Sequence, residues 1–149
     1  MIENNIKSQA CALKHMLCMG LIEVEHVVTW ADNLIADADI LPDWLTELAL
    51  CKTINQAITG LGQTPGELPA ELWWPLLKQL IATELNSKDV NLQAVVTYCY
   101  NLALSGEIPA YDCEALYQLE LEYDSIFTGY GTQAEVDVQA LQFFNKHKV

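Results

Sequence analysis

The chain contains no arginine. Its seven basic residues are all lysine, set against twenty aspartates and glutamates, for a formal charge of -13 over 149 residues. The sequence pI is near 4.3. Nucleic acid is therefore not expected as a ligand, because phosphate binding requires clustered Lys or Arg. The missing guanidinium also removes the planar, bidentate donor that recognises carboxylate and phosphate substrates. No stretch approaches the roughly 18 apolar residues of a membrane span. In the opening "MIENNIKSQACALKHMLCMG", Lys14 and His15 interrupt the apolar run that a signal peptide needs. A cytoplasmic protein with no membrane partner is expected. Cysteine is odd in number, and Cys11 and Cys18 on one predicted helix would lie roughly 10 Å apart along its axis, beyond disulfide reach. Reduced thiols are expected.

What is present is apolar and helical. The 52% of hydrophobic residues suffices for one core, and the start and stop signals mark about seven short helices. The expectation is an all-α fold, packed as helical hairpins in one compact domain over residues 1–149. The first helix covers about 5–19, with Ile6, Ala10, Leu13 and Leu17 on one face and Gly20 as its stop. The second, about 22–36, turns Val27, Leu34 and either Trp30 or Ala31 inward. Pro42 opens a third helix over about 42–59, with Asp39 and Asp43 near its positive end. "GLGQTPGELP" is a loop. In the fourth helix, Pro75 places the regular part from about Trp73 to Leu85. Ser87 or Asp89 caps a fifth ending near Ser105-Gly106, a sixth covers about 110–128, and the capping box "TQAE" opens the last, which ends in "KHK".

Candidates for chemistry are few. Cys11, His15 and Cys18 fall at i, i+4 and i+7, a spacing that puts a His and two thiols on one helical face. A zinc site would need a fourth ligand from elsewhere, whereas such sites usually carry two ligand pairs. Two buried thiols beside a partly exposed histidine is the plainer reading. A cysteine nucleophile needs a nearby positive group to lower its pKa, and the negative field here acts the other way. His26 lacks the H-E-x-x-H spacing. "DADILPD" begins like a calcium loop but has Leu41 at position five, with neither the glycine turn nor the terminal glutamate following. No catalytic, cofactor or metal-binding residue is expected, and the protein is read as a non-enzyme.

The acid surplus is the sharper signal. Asp37, Asp39 and Asp43 crowd "IADADILPDW" with no lysine among them, and Asp37 sits near the negative end of the second helix. Glu120 and Asp124, four apart on the sixth helix, face one another as like charges. Tyr117 and Tyr123 lie beside them, and tyrosine is enriched at interfaces. A folded chain of this mass exposes on the order of 7,600 Å². Spread evenly, the net charge would put only about one or two charges under a typical contact face of about 800 Å². Clustering must supply the rest, so these seven residues are the expected partner-binding set. If the fold joins the two stretches, they form one negative face that speeds encounter with a basic protein.

The segment "VEHVVTWADNLIADADILPDWLTELALC", through its "WADNLI" and "P-D-W-L" arrangement, resembles small acidic bacterial immunity proteins. The resemblance is to the α-helical members associated with contact-dependent growth inhibition. It implies a cytoplasmic antitoxin, monomeric before complex formation, that binds a cognate basic toxin domain and blocks it sterically and electrostatically. Such toxins are often nucleases with basic clefts, and a ribonuclease is one such target. The alternative is an acidic helical adaptor or regulatory subunit for another basic protein.

Overall fold

The computed structural model describes residues 2–66, 68–87 and 89–146, with side chains from residue 5 onward. Eight α-helices and one 3-10 turn make up the fold, with no strand among the described residues. Among the same residues, no helix is long and apolar enough to cross a membrane. The chain falls into two compact units, Met1–Leu77 and Lys78–Val149.

The first unit contains α1 (Ile2–Cys18), α2 (Val24–Asp37), α3 (Asp43–Ala49), α4 (Ile54–Gly62) and the beginning of α5 (Ala70–Ser87). Gly20, at φ 74°, ends α1 as the sequence predicts. The Leu21 amide donates to the Met16 carbonyl and the Gly20 amide to that of Leu17, both at 3.0 Å. This is a Schellman closure, and it needs the left-handed backbone that glycine supplies without strain. Helix α2 packs on α3, α3 on α4, and α1 on α4. Val27, Ala31, Leu45, Leu48, Leu61 and the two indoles Trp73 and Trp74 are buried. Gly60 lies where α4 meets α3: a Cβ there would come within 2.8 Å of Leu48 Cδ1, so that side chain would have to shift.

The expected third helix, 42–59, is two helices. Thr53 stops the run, its hydroxyl accepting from the Gln56 amide at 3.1 Å, while the Gln56 side chain accepts from the Lys52 amide at 2.8 Å. An N-cap with an extended backbone cannot lie inside a continuous helix. The fourth also departs from expectation, since α5 begins at Ala70 and carries Pro75 within it. Pro75 has no amide hydrogen to donate to the preceding turn, so one bond of the helical ladder is missing there.

The second unit holds the rest of α5, then α6 (Leu92–Leu104), a 3-10 turn (Ala110–Asp112), α7 (Cys113–Ile126) and α8 (Gln133–Asn145). Helices α6, α7 and α8 pack on one another pairwise. Their core contains Val96, Cys99, Leu116, Tyr123, Ala140 and Phe144. Asn91 caps α6 by accepting from the Ala94 amide, in place of the expected Ser87 or Asp89. Thr132 caps α8 as predicted, accepting from the Glu135 amide. Of the closing "KHK", Lys146 is the C-cap, and the other two residues lie outside the described ones.

Candidate functional site

The first acidic stretch belongs to the unit Met1–Leu77. Helix α2 ends at Asp37, and Ala38 leaves it with an extended backbone. Pro42, at φ -71° and ψ 148°, is extended again as the residue that opens α3, its ring fixing φ. The short link therefore projects outward. Ile40 is 83% exposed and Leu41 53% exposed. Asp37, Asp39 and Asp43 are also exposed, and within the described residues none of their carboxylates accepts a hydrogen bond or pairs with a cation. Beside the link lies a groove of about 460 Å³. Ile6 of α1, Leu34 and Asp37 of α2, Trp44 and Leu45 of α3, and Pro65 line it, with Ile40 at the link itself.

The second stretch belongs to the other unit, Lys78–Val149. Tyr117 is 44% exposed, and its ring lies 6.2 Å from that of Tyr100. Asp124 is exposed, and its carboxylate has no bonded partner among the described residues. Glu120 is not uncompensated: its carboxylate is half-buried and accepts from the Thr97 hydroxyl at 2.9 Å. Tyr123 requires a correction. It is 1% exposed and its hydroxyl donates to Asp137 Oδ1 at 2.6 Å, so it is a core residue with no surface to offer a partner. Burial, then the hydrogen bond and charge of Asp137, push its phenol well above the usual range. The physical reason is the helical stripe: Leu116, Leu119 and Tyr123 share the inward face of α7, while Tyr117, Glu120 and Asp124 lie one step round.

The residues around the groove also contain a signal absent from the expected set. Ile40 and Leu41 form an apolar pair directly between carboxylates and a proline, and Trp44 follows one residue after Asp43. That interleaving of apolar and acidic residues was the readable sign of an exposed surface.

The Cys11, His15 and Cys18 face is arranged differently from expectation. Cys11 and His15 are buried and Cys18 is exposed. The imidazole is covered by Trp73, which no spacing rule within α1 could reveal. Among the described residues no group of three or more His, Cys, Asp or Glu side chains is placed to hold a metal ion. Burial raises the thiol pKa of both Cys51 and Cys99, which keeps them in the poorly nucleophilic thiol form.

Comparison with known protein families, characterised proteins and solved structures finds no match to this chain.

Proposed function

We propose that the protein is a cytoplasmic immunity protein, monomeric until it binds, that neutralises a basic toxin domain by covering its active cleft. The reading is carried by Asp37, Asp39 and Asp43, three exposed carboxylates with no cation of their own, set around the exposed pair Ile40 and Leu41. Uncompensated charge of one sign accelerates encounter with a protein of the other sign, and apolar area beside it slows escape once water is expelled. A nuclease has a cleft shaped for an anion. An acidic protein seated there excludes the nucleic acid both by volume and by charge. The likeness of residues 24–51 to helical immunity proteins of contact-dependent growth inhibition supports the same reading.

The test is co-expression with the domain encoded directly upstream of this gene. Growth arrest by that domain alone, relieved by this chain and accompanied by a stable one-to-one complex, is the expected result. An upstream product that is not toxic, or toxicity left unrelieved, rejects the immunity reading.

A further inference from the structure

The groove in the first unit has a chemistry that specifies what fills it. Its lining is mostly hydrocarbon, contributed by Ile6, Leu34, Trp44, Leu45 and Pro65, yet Asp37 stands in the lining too. Asp39 and Asp43 are exposed and covalently adjacent to the lining residues Ala38, Ile40, Pro42 and Trp44. From residue 15 to residue 51 the chain has seven carboxylates and not one lysine. The volume of about 460 Å³ lies within the roughly 300–1,000 Å³ of pockets that take drug-sized ligands, room for a short apolar segment.

We infer that this groove seats a short apolar segment, anchored by a large aliphatic or aromatic side chain, on a partner that carries lysine or arginine on either side of it. The inference rests on the reading of this chain as the inhibitor of a basic protein and says where on it that protein is held. Charge decides among the occupants. A second copy of this chain would bring two acidic rims together, and like charges brought face to face across an interface are costly. Nucleic acid and anionic membrane are repelled for the same reason. A neutral apolar segment fills the hydrocarbon but leaves Asp37, Asp39 and Asp43 beside it partly desolvated and unpaired, which is unfavourable. A cation-flanked anchor satisfies both parts at once: the side chain displaces water from the groove while its neighbours reach the carboxylates. The exposed Ile40 and Leu41 then close over the anchor's edge, which accounts for two large apolar side chains left in water beside an apolar groove.

The experiment titrates the isotopically labelled full chain with the capped heptapeptide Lys-Lys-Leu-Trp-Leu-Lys-Lys, observed by two-dimensional NMR. Two comparison peptides replace either all lysines by glutamate or the central three residues by Ser-Gly-Ser. The expected result is saturable shifts at the amides of Ala38 and Ile40 and at the indole N–H of Trp44, with both comparison peptides weaker by roughly tenfold or more. Ile40→Ser, at a position too exposed to support the fold, weakens binding roughly tenfold, and Asp43→Asn weakens it with the spectrum of the free protein otherwise unchanged. Shifts confined to other regions, or equal binding by either comparison peptide, overturn the inference. A second arm uses the upstream toxin domain. If Ile40→Ser and Asp43→Asn protect cells and bind the toxin as the parent does, the groove is not the anchor site although the immunity reading stands. If the peptide result holds and the parent chain gives no protection, the groove stands and the immunity reading fails.

Discussion

The imidazole of His15 stacks on the indole of Trp73, with ring centroids 5.2 Å apart and planes 27° from parallel. Burial, with a smaller contribution from the Lys14 charge, lowers the His15 pKa from 6.5 to about 4. The folded state therefore keeps this ring neutral at pH values where the unfolded chain protonates it. Above about pH 6.5 the group adds no pH dependence. As the pH falls from there toward 4 the unfolded state takes up the proton alone, and stability drops by on the order of 3 kcal/mol. Below the folded pKa the loss levels off. Urea unfolding at a series of pH values checks this, and His15→Phe, which keeps a ring against Trp73, removes most of the slope between pH 6.5 and 5. An undiminished slope in that variant would assign the pH dependence to the carboxylates instead.

Lys78 is a buried lysine, with Nζ 2.9 Å from Asp112 Oδ2 and 4.8 Å from the centroid of the Phe143 ring. Removing the carboxylate strands a cation in the core, so Asp112→Ala is expected to cost about 3 kcal/mol or more. Lys78→Met removes the charge while keeping a flexible stem over Phe143, and combined with Asp112→Ala it recovers part of that loss. Denaturant midpoints for the two single variants and the double variant give the coupling directly. Additive losses would mean that the pair contributes no coupling of its own.

Tyr123→Phe deletes the hydroxyl that donates to Asp137 and leaves the buried ring in place. The expected cost is about 2 kcal/mol, because the bond is to a carboxylate and Asp137 loses a donor. Partner affinity stays within error, since the ring is not at the surface. A folded variant with weakened binding and unchanged stability would return Tyr123 to the interface.

Charge reversal separates the two acidic stretches. Asp39→Lys and Asp43→Lys in the first unit are expected to slow association with a basic toxin domain and to flatten its salt dependence; Asp39→Lys has little effect on thermal unfolding, whereas Asp43→Lys, at the first position of α3, costs about 1 kcal/mol through the helix dipole. Asp124→Lys is the corresponding test in the second unit, and Glu107→Lys, exposed in the turn after α6, is the control. Stopped-flow association rates at two ionic strengths distinguish the sites. Equal effects at Asp43 and Glu107 would mean that net charge alone steers encounter.

Much of the helical plan was legible because capping is local. Gly20 and the Ser105-Gly106 pair end α1 and α6, and Thr132 opens α8, through bonds that span only a few residues. Such signals need no knowledge of the rest of the chain. The break at Thr53 is written in "TINQ" as well, yet residues 43–59 contain neither glycine nor proline, the strongest local punctuation of a helix.

The sequence by itself determined an all-helical chain, its excess of carboxylates, and the crowding of Asp37, Asp39 and Asp43 around a proline. Only the tertiary structure decided which of those features face water. Tyr123 and Tyr117 differ by six positions in one helix, and the first is sealed in the core beside Asp137 while the second stays at the surface. Glu120 finds Thr97 on another helix, twenty-three residues away in sequence. His15 is buried because Trp73 covers it, and Ile40 is exposed because the link between α2 and α3 turns outward. Periodicity assigns residues to stripes around a helix, but whether a stripe is covered depends on a second element brought against it by contacts distant in sequence.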